Sequence, residues 1–155
     1  MTRVAIALGS NLGERRDHLD YAVDALQVDL SDISVSTFLE TQPVGVGQEH
    51  GPYLNGALVG RTQLPPRDLL ERLLEIESER GRTRPYPSAP RTLDLDLILY
   101  GDAILVEDGL CVPHPSFRDR EFVLAPLQEI AGDMIDPISG ETVAALFVAK
   151  RNDRI

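Results

Sequence analysis

The run Arg91-Thr92-Leu93-Asp94-Leu95-Asp96-Leu97-Ile98-Leu99-Tyr100 constrains this chain more than any other stretch. Leucine returns at every second position from 93 to 99, which is the period of a β-strand. The reading is a strand over 91–100. Leu93, Leu95, Leu97 and Leu99 form its core face, and Asp94, Asp96, Ile98 and Tyr100 share the other face. Two aspartates at i and i+2 then point the same way, roughly 6–7 Å apart at Cα. Aspartate is depleted in strands, and neighbouring like charges repel. Two readings are open. The pair holds Mg²⁺ shared with substrate phosphates, as one ion or two, or it is an exposed face whose charge is solvated.

The rest of the chain supplies partners for that strand. Val4–Leu8 reads as a short buried strand, and Gly9–Gly13 as a turn and helix cap. That turn lacks the Gly-Lys-Ser/Thr ending of a phosphate loop. A helix over 14–28 carries Leu19, Ala22, Val23 and Leu26 at helical spacing, with Asn11 and Glu14 at its opening. Alternation over 33–40 predicts a strand, 41–52 a loop with Pro and Gly punctuation, and 53–62 another strand. Pro65-Pro66 opens a helix to about residue 80, with Leu69, Leu70, Leu73, Leu74 and Ile76 on its buried side and Gly81 as its stop. Residues 82–90 form an irregular loop with three prolines. One or two short strands follow Gly101-Asp102. A short helix over 122–131, interrupted or opened near Pro126, and a last helix over 142–149 complete the chain. This order is the split β-α-β pattern of a ferredoxin-like α+β fold: an antiparallel sheet with helices packed on it, in one domain spanning 1–155.

Charge narrows the partners. With 25 acidic against 15 basic side chains among 155 residues, the formal charge is −10. That balance argues against nucleic acid or an anionic membrane surface as a partner. No apolar run approaches a membrane span. The single cysteine, Cys111, forbids an intrachain disulfide and fits a cytoplasmic setting. All the basic residues except Lys150 are arginine, and Arg80, Arg82, Arg84 and Arg91 make a local basic island that leads into the aspartate strand. Carboxylates for a metal and arginine forks for phosphate oxygens are the two parts phosphoryl transfer needs. Surface pairing with Glu75, Glu77 and Glu79 is the other reading of the same arginines.

Three further sets are candidates. His114, held between Pro113 and Pro115, is either structural or a phosphate donor, and Arg118 and Arg120 would extend such an anion site. Tyr53 and Asn55 share a strand face, offering a stacking ring beside an amide for a planar heterocycle. Phe122 is a second ring that could stack or enter the core.

Taken together, these segments resemble the 6-hydroxymethyl-7,8-dihydropterin pyrophosphokinase family. The resemblance covers Val4 to about Ala131. It rests on Ala7-Leu8-Gly9-Ser10-Asn11-Leu12-Gly13, Thr41-Gln42-Pro43-Val44-Gly45, Tyr53-Leu54-Asn55, Ile76-Glu77 with Gly81-Arg82, Pro90-Arg91-Thr92-Leu93-Asp94-Leu95-Asp96 and Val112-Pro113-His114-Pro115. It implies diphosphate transfer from ATP, as co-substrate, to the hydroxymethyl group of the reduced pterin, with release of AMP. By the resemblance, Asp94 and Asp96 hold two Mg²⁺ ions, and Arg82 and Arg91 are catalytic. Arg82, Arg84, Arg91, His114 and Arg120 bind ATP. Thr41, Val44, Tyr53, Asn55 and Phe122 bind the pterin. A cytoplasmic monomer acting on small molecules is expected. Departures from the family pattern are Gln42, where proline is common, Gly109, where some members are basic, and the absence of tryptophan. A non-catalytic pterin- or nucleotide-binding regulator and a Mg²⁺-dependent nucleotidyltransferase are the competing readings.

Overall fold

The computed structural model describes residues 1–41, 52–81 and 92–153. Strand β1 (Thr2–Ser10) runs through the centre and is buried on both faces. It pairs antiparallel with β4 (Tyr53–Thr62) on one side and β5 (Asp94–Tyr100) on the other. Strand β2 (Ser31–Val35) lies outside β4, and β3 (Leu39–Thr41) also pairs with β4, so the order is β2-β4-β1-β5. Helix α1 (Arg15–Leu26) links β1 to β2, and α2 (Pro66–Glu79) links β4 to β5. Each crossing passes over one strand, which makes the fold ferredoxin-like α+β.

The two sheet faces bury different helices. On the first, Val4, Ile6 and Leu8 pack with Leu19, Ala22 and Leu26 of α1 and with Leu69, Leu73 and Ile76 of α2. On the second, Ala5, Ala7, Ala57 and Val59 pack under α3 (Glu121–Ala131) and α4 (Val143–Asn152). Small residues on that face let α3 sit close to the sheet. Hairpin strands β6 (Leu105–Glu107) and β7 (Leu110–Val112) and a 3-10 turn at Phe117–Asp119 lead into α3.

The structure corrects several expectations. The leucine face of β5 does not run to its end. Ala5 pairs with Leu99 but Ile6 pairs with Leu97, so Ile98 is an extra residue in the ladder. Beyond that bulge Leu99 packs in the second core, while Tyr100 packs against the first. The strand expected over 33–40 is two. Ser36 interrupts it: its hydroxyl, in place of a backbone carbonyl, accepts the Ala57 N–H at 2.8 Å. Thr37 then donates its N–H and hydroxyl to Glu129 of α3, at 2.9 and 2.8 Å, rather than to a strand. Leu74 is half exposed, because it lies one position beyond the buried stripe of α2. Glu14, not Asn11, takes the N-cap position of α1, and its side chain makes no capping bond. Helix α3 runs through Pro126, which withholds an N–H from the Phe122 carbonyl yet leaves the helix continuous.

Candidate active site

At one end of the sheet α3 no longer covers the second face, and β1, β4 and β5 form the floor of an open cleft of about 950 Å³. The register places Gly9 between Asn55 on one side and Asp94 on the other, and Ala7 beside Asp96. Both aspartates, Tyr53 and Asn55 therefore line one cleft. Gly9 keeps that floor low: a Cβ there would stand 3.1 Å from Asn55 Oδ1 and 3.8 Å from the Tyr53 ring. Thr41 forms the adjoining edge. It pairs with Tyr53 across β3 and β4, and its Oγ1 accepts a 2.6 Å bond from Asn55 Nδ2.

The opposite wall comes from the start of α3. Phe122 lines it, and the Arg120 guanidinium lies 5.8 Å from the Phe122 ring centroid. Arg118 does not extend this basic edge, as the sequence suggested. It turns away and binds the fully buried Asp136, through Nε and through Nη2 at 2.8 Å. Asp136 also accepts from the backbone N–H groups of Ile138 and Ser139. Burial alone would raise its pKa, but the bonds from Arg118, Ser139 and Ile138 outweigh that and lower it to about 2. The pair anchors the turn that delivers Arg120 and Phe122.

His114 lies in a second, smaller cleft of about 290 Å³, which Asp96 also lines, so the two clefts meet at the aspartate pair. The His114 N–H bonds the Ile98 carbonyl at 2.9 Å, and its Nδ1 accepts the Ser116 N–H at 3.1 Å. The neutral ring therefore carries its proton on Nε2. Burial pushes the His114 pKa below 6.5 and Arg120 and Arg118 add to this, against the opposing pull of Asp94. The imidazole is thus a neutral donor near pH 7.

Glu77 is a neighbour of the site that the sequence did not single out. Its Oε2 accepts the Leu95 N–H at 2.7 Å, between the two aspartates and away from β1. Glu75 instead bonds Arg72, and Glu79 accepts from the Tyr21 hydroxyl. Val44, Arg82, Arg84 and Arg91 lie outside the described residues. The chain on either side of 82–91 meets beside β5, since a Cβ on Gly81 would lie 3.2 Å from Thr92 Oγ1.

The donor set limits what metal the cleft could take. Among the described residues no three His, Cys, Asp or Glu side chains come together as a metal cage. Two carboxylates on one strand face fit a hard cation that keeps water and substrate oxygens in its shell, as Mg²⁺ does. No described helix is long and apolar enough to cross a membrane.

Comparison with known proteins agrees with this geometry. Residues 5–132 match the family described as 7,8-dihydro-6-hydroxymethylpterin-pyrophosphokinase. A 2-amino-4-hydroxy-6-hydroxymethyldihydropteridine pyrophosphokinase of Synechocystis is 42% identical over 145 residues, covering 92% of this chain and 73% of its own. The Bacillus subtilis protein of the same name is 44% identical over 127 residues, covering 81% and 75%. A solved Plasmodium falciparum HPPK-DHPS structure superposes with a TM-score of 0.78 at 13% identity, over 99% of this chain. The present chain spans 44% of that longer protein, and the likeness establishes the shared fold.

Proposed function

The chain belongs to the 7,8-dihydro-6-hydroxymethylpterin-pyrophosphokinase family, transferases of folate synthesis, and from that premise we propose that it moves the β,γ-diphosphate of ATP onto the hydroxymethyl oxygen of the reduced pterin. One observation carries this reading. The strand carboxylates Asp94 and Asp96 share a single cleft with the ring-and-amide set Tyr53, Asn55 and Phe122.

Each residue then has a task. Tyr53 and Phe122 supply faces for the flat bicyclic ring, and Asn55 and Thr41 supply hydrogen-bonding groups at its edge. Val44 completes the pocket by the family resemblance. Asp94 and Asp96 would hold Mg²⁺, two ions by the resemblance, and bound there it would neutralise triphosphate charge. Arg82, Arg84, Arg91 and Arg120 clamp phosphate oxygens with their forks, and His114 donates from Nε2. The hydroxymethyl oxygen attacks the β-phosphorus in line. An O–Pβ bond forms, the bridging bond to the α-phosphate breaks, AMP leaves with the bridging oxygen, and the hydroxyl proton passes to water. Catalysis on this account is mainly positioning and charge stabilisation. We take residues 1–155 as one such domain, acting as a cytoplasmic monomer on small molecules.

Phe122→Ala should weaken reduced-pterin binding by about 10- to 100-fold, the scale of one lost aromatic contact surface. Equilibrium fluorescence titration of the pterin checks this, with ATP affinity unchanged. Arg82→Ala and Arg91→Ala should each slow turnover more than they weaken pterin binding, as steady-state and binding measurements together would show. The reaction class is tested by the fate of label. Phosphorus from the β position of ATP should pass to the pterin, and α-phosphorus should remain in AMP. Release of diphosphate with α-label on the acceptor would make this a nucleotidyltransferase instead.

A further inference from the structure

Arg15 opens α1 and takes no part in the chemistry above. Its Nη1 donates to the Pro52 carbonyl at 2.9 Å, and its Nη2 donates to the Glu40 carboxylate. Glu40 immediately precedes Thr41, and Pro52 immediately precedes Tyr53. Thr41 and Tyr53 are partners across β3 and β4, and β3 is only three residues long. One guanidinium therefore spans the two chain segments that bring Thr41 and Tyr53 to the cleft. Its donors sit in a rigid planar fork, so it fixes the separation of those segments as well as holding each one.

We propose that Arg15 is a positioning residue for the pterin side of the cleft. It holds Glu40 and Pro52 so that Thr41, Tyr53 and Asn55 keep the arrangement that receives the heterocycle. The proposal rests on the pterin reading above. The Arg15 and Glu40 side chains are 28% and 57% exposed, and an ion pair so open to water contributes little to global stability. Its effect is local. A shift of β3 carries Thr41 Oγ1 away from Asn55 Nδ2, and that 2.6 Å bond orients the amide at the pocket edge. Lysine has one ammonium in place of the fork and cannot reach both segments in the same way.

The test compares wild type with Arg15→Ala, Arg15→Lys and Glu40→Gln. Arg15→Ala and Arg15→Lys should raise the pterin KM and Kd by about tenfold, the scale of one net hydrogen bond. kcat, ATP affinity and melting temperature should stay near wild type. Glu40→Gln keeps an acceptor and should recover most of the loss. Amide hydrogen exchange at Tyr53, Leu54 and Asn55 should quicken in Arg15→Ala, independently of turnover. An unchanged pterin Kd, or equal losses for pterin, ATP and stability, would overturn the positioning role while leaving the pterin reading intact. A wild-type protein that binds no reduced pterin would overturn that reading and this proposal together.

Discussion

Asp96→Ala should lose Mg²⁺-dependent turnover by a factor of 10³ or more, about 4 kcal/mol of transition-state stabilisation, and still fold. Asp96 lies opposite Ala7 on the cleft face, and its side chain belongs to neither buried core. Removing it halves the carboxylate set without opening a cavity. It also removes a like charge two residues from Asp94, so without Mg²⁺ the variant should melt at or above the wild-type temperature. Initial rates across a Mg²⁺ titration, with thermal melts of the same samples, check both halves. Full activity in Asp96→Ala would remove the aspartate pair from the mechanism.

The second large effect is on stability. Asp136→Asn should destabilise the fold by about 3–5 kcal/mol, the range for breaking one side of a buried ion pair. Asp136 is fully buried, and the Arg118 fork cannot be matched by an amide that presents one oxygen. Urea denaturation of the variant and wild type measures the difference. The pH dependence has a definite sign. The Asp136 pKa is lowered from 3.8 to about 2 in the fold. Its stabilisation is therefore fully present above pH 4 and is lost as pH falls through about 2. The gap between wild type and Asp136→Asn should narrow by roughly 2–3 kcal/mol over that window. A gap that does not change with pH would show that Asp136 does not titrate between folded and unfolded states as described.

The fold was legible wherever one face of an element is apolar and the other is not. The helix stripes of α1 and α2 and the strand order follow from that periodicity, and so does the ferredoxin-like class. It failed where apolar residues hide a change of register. Ile98 and Leu99 are both apolar, so nothing in their types reveals that the ladder gains a residue there. Ile33, Val35, Thr37 and Leu39 read as unbroken alternation. Only the fold shows the Ser36 hydroxyl replacing a backbone carbonyl and Glu129 taking the next donors. The second apolar face of β1 was likewise invisible until α3 and α4 were seen to lie on it.

The candidate site was legible through residues that strands disfavour. Asp94 and Asp96 stand out because acidic side chains inside a leucine strand need a reason. Tyr53 and Asn55 follow from strand period alone. The misplaced residue is Arg118, whose partner Asp136 is 18 residues away and joined to it by the fold, not by spacing. Glu77 and Arg15 carried no local signal either. One caps a strand N–H from a helix, and the other ties two segments together through a carbonyl and a carboxylate. Such contacts depend on which elements the topology sets side by side.

The most direct test of the central claim is AMP release by the purified protein given ATP, Mg²⁺ and 6-hydroxymethyl-7,8-dihydropterin, followed by chromatography. The account predicts AMP in equal amount to pterin diphosphate, and none when either the pterin or Mg²⁺ is left out. Pterin binding without AMP would contradict it and make the protein a binding regulator built on the same cleft.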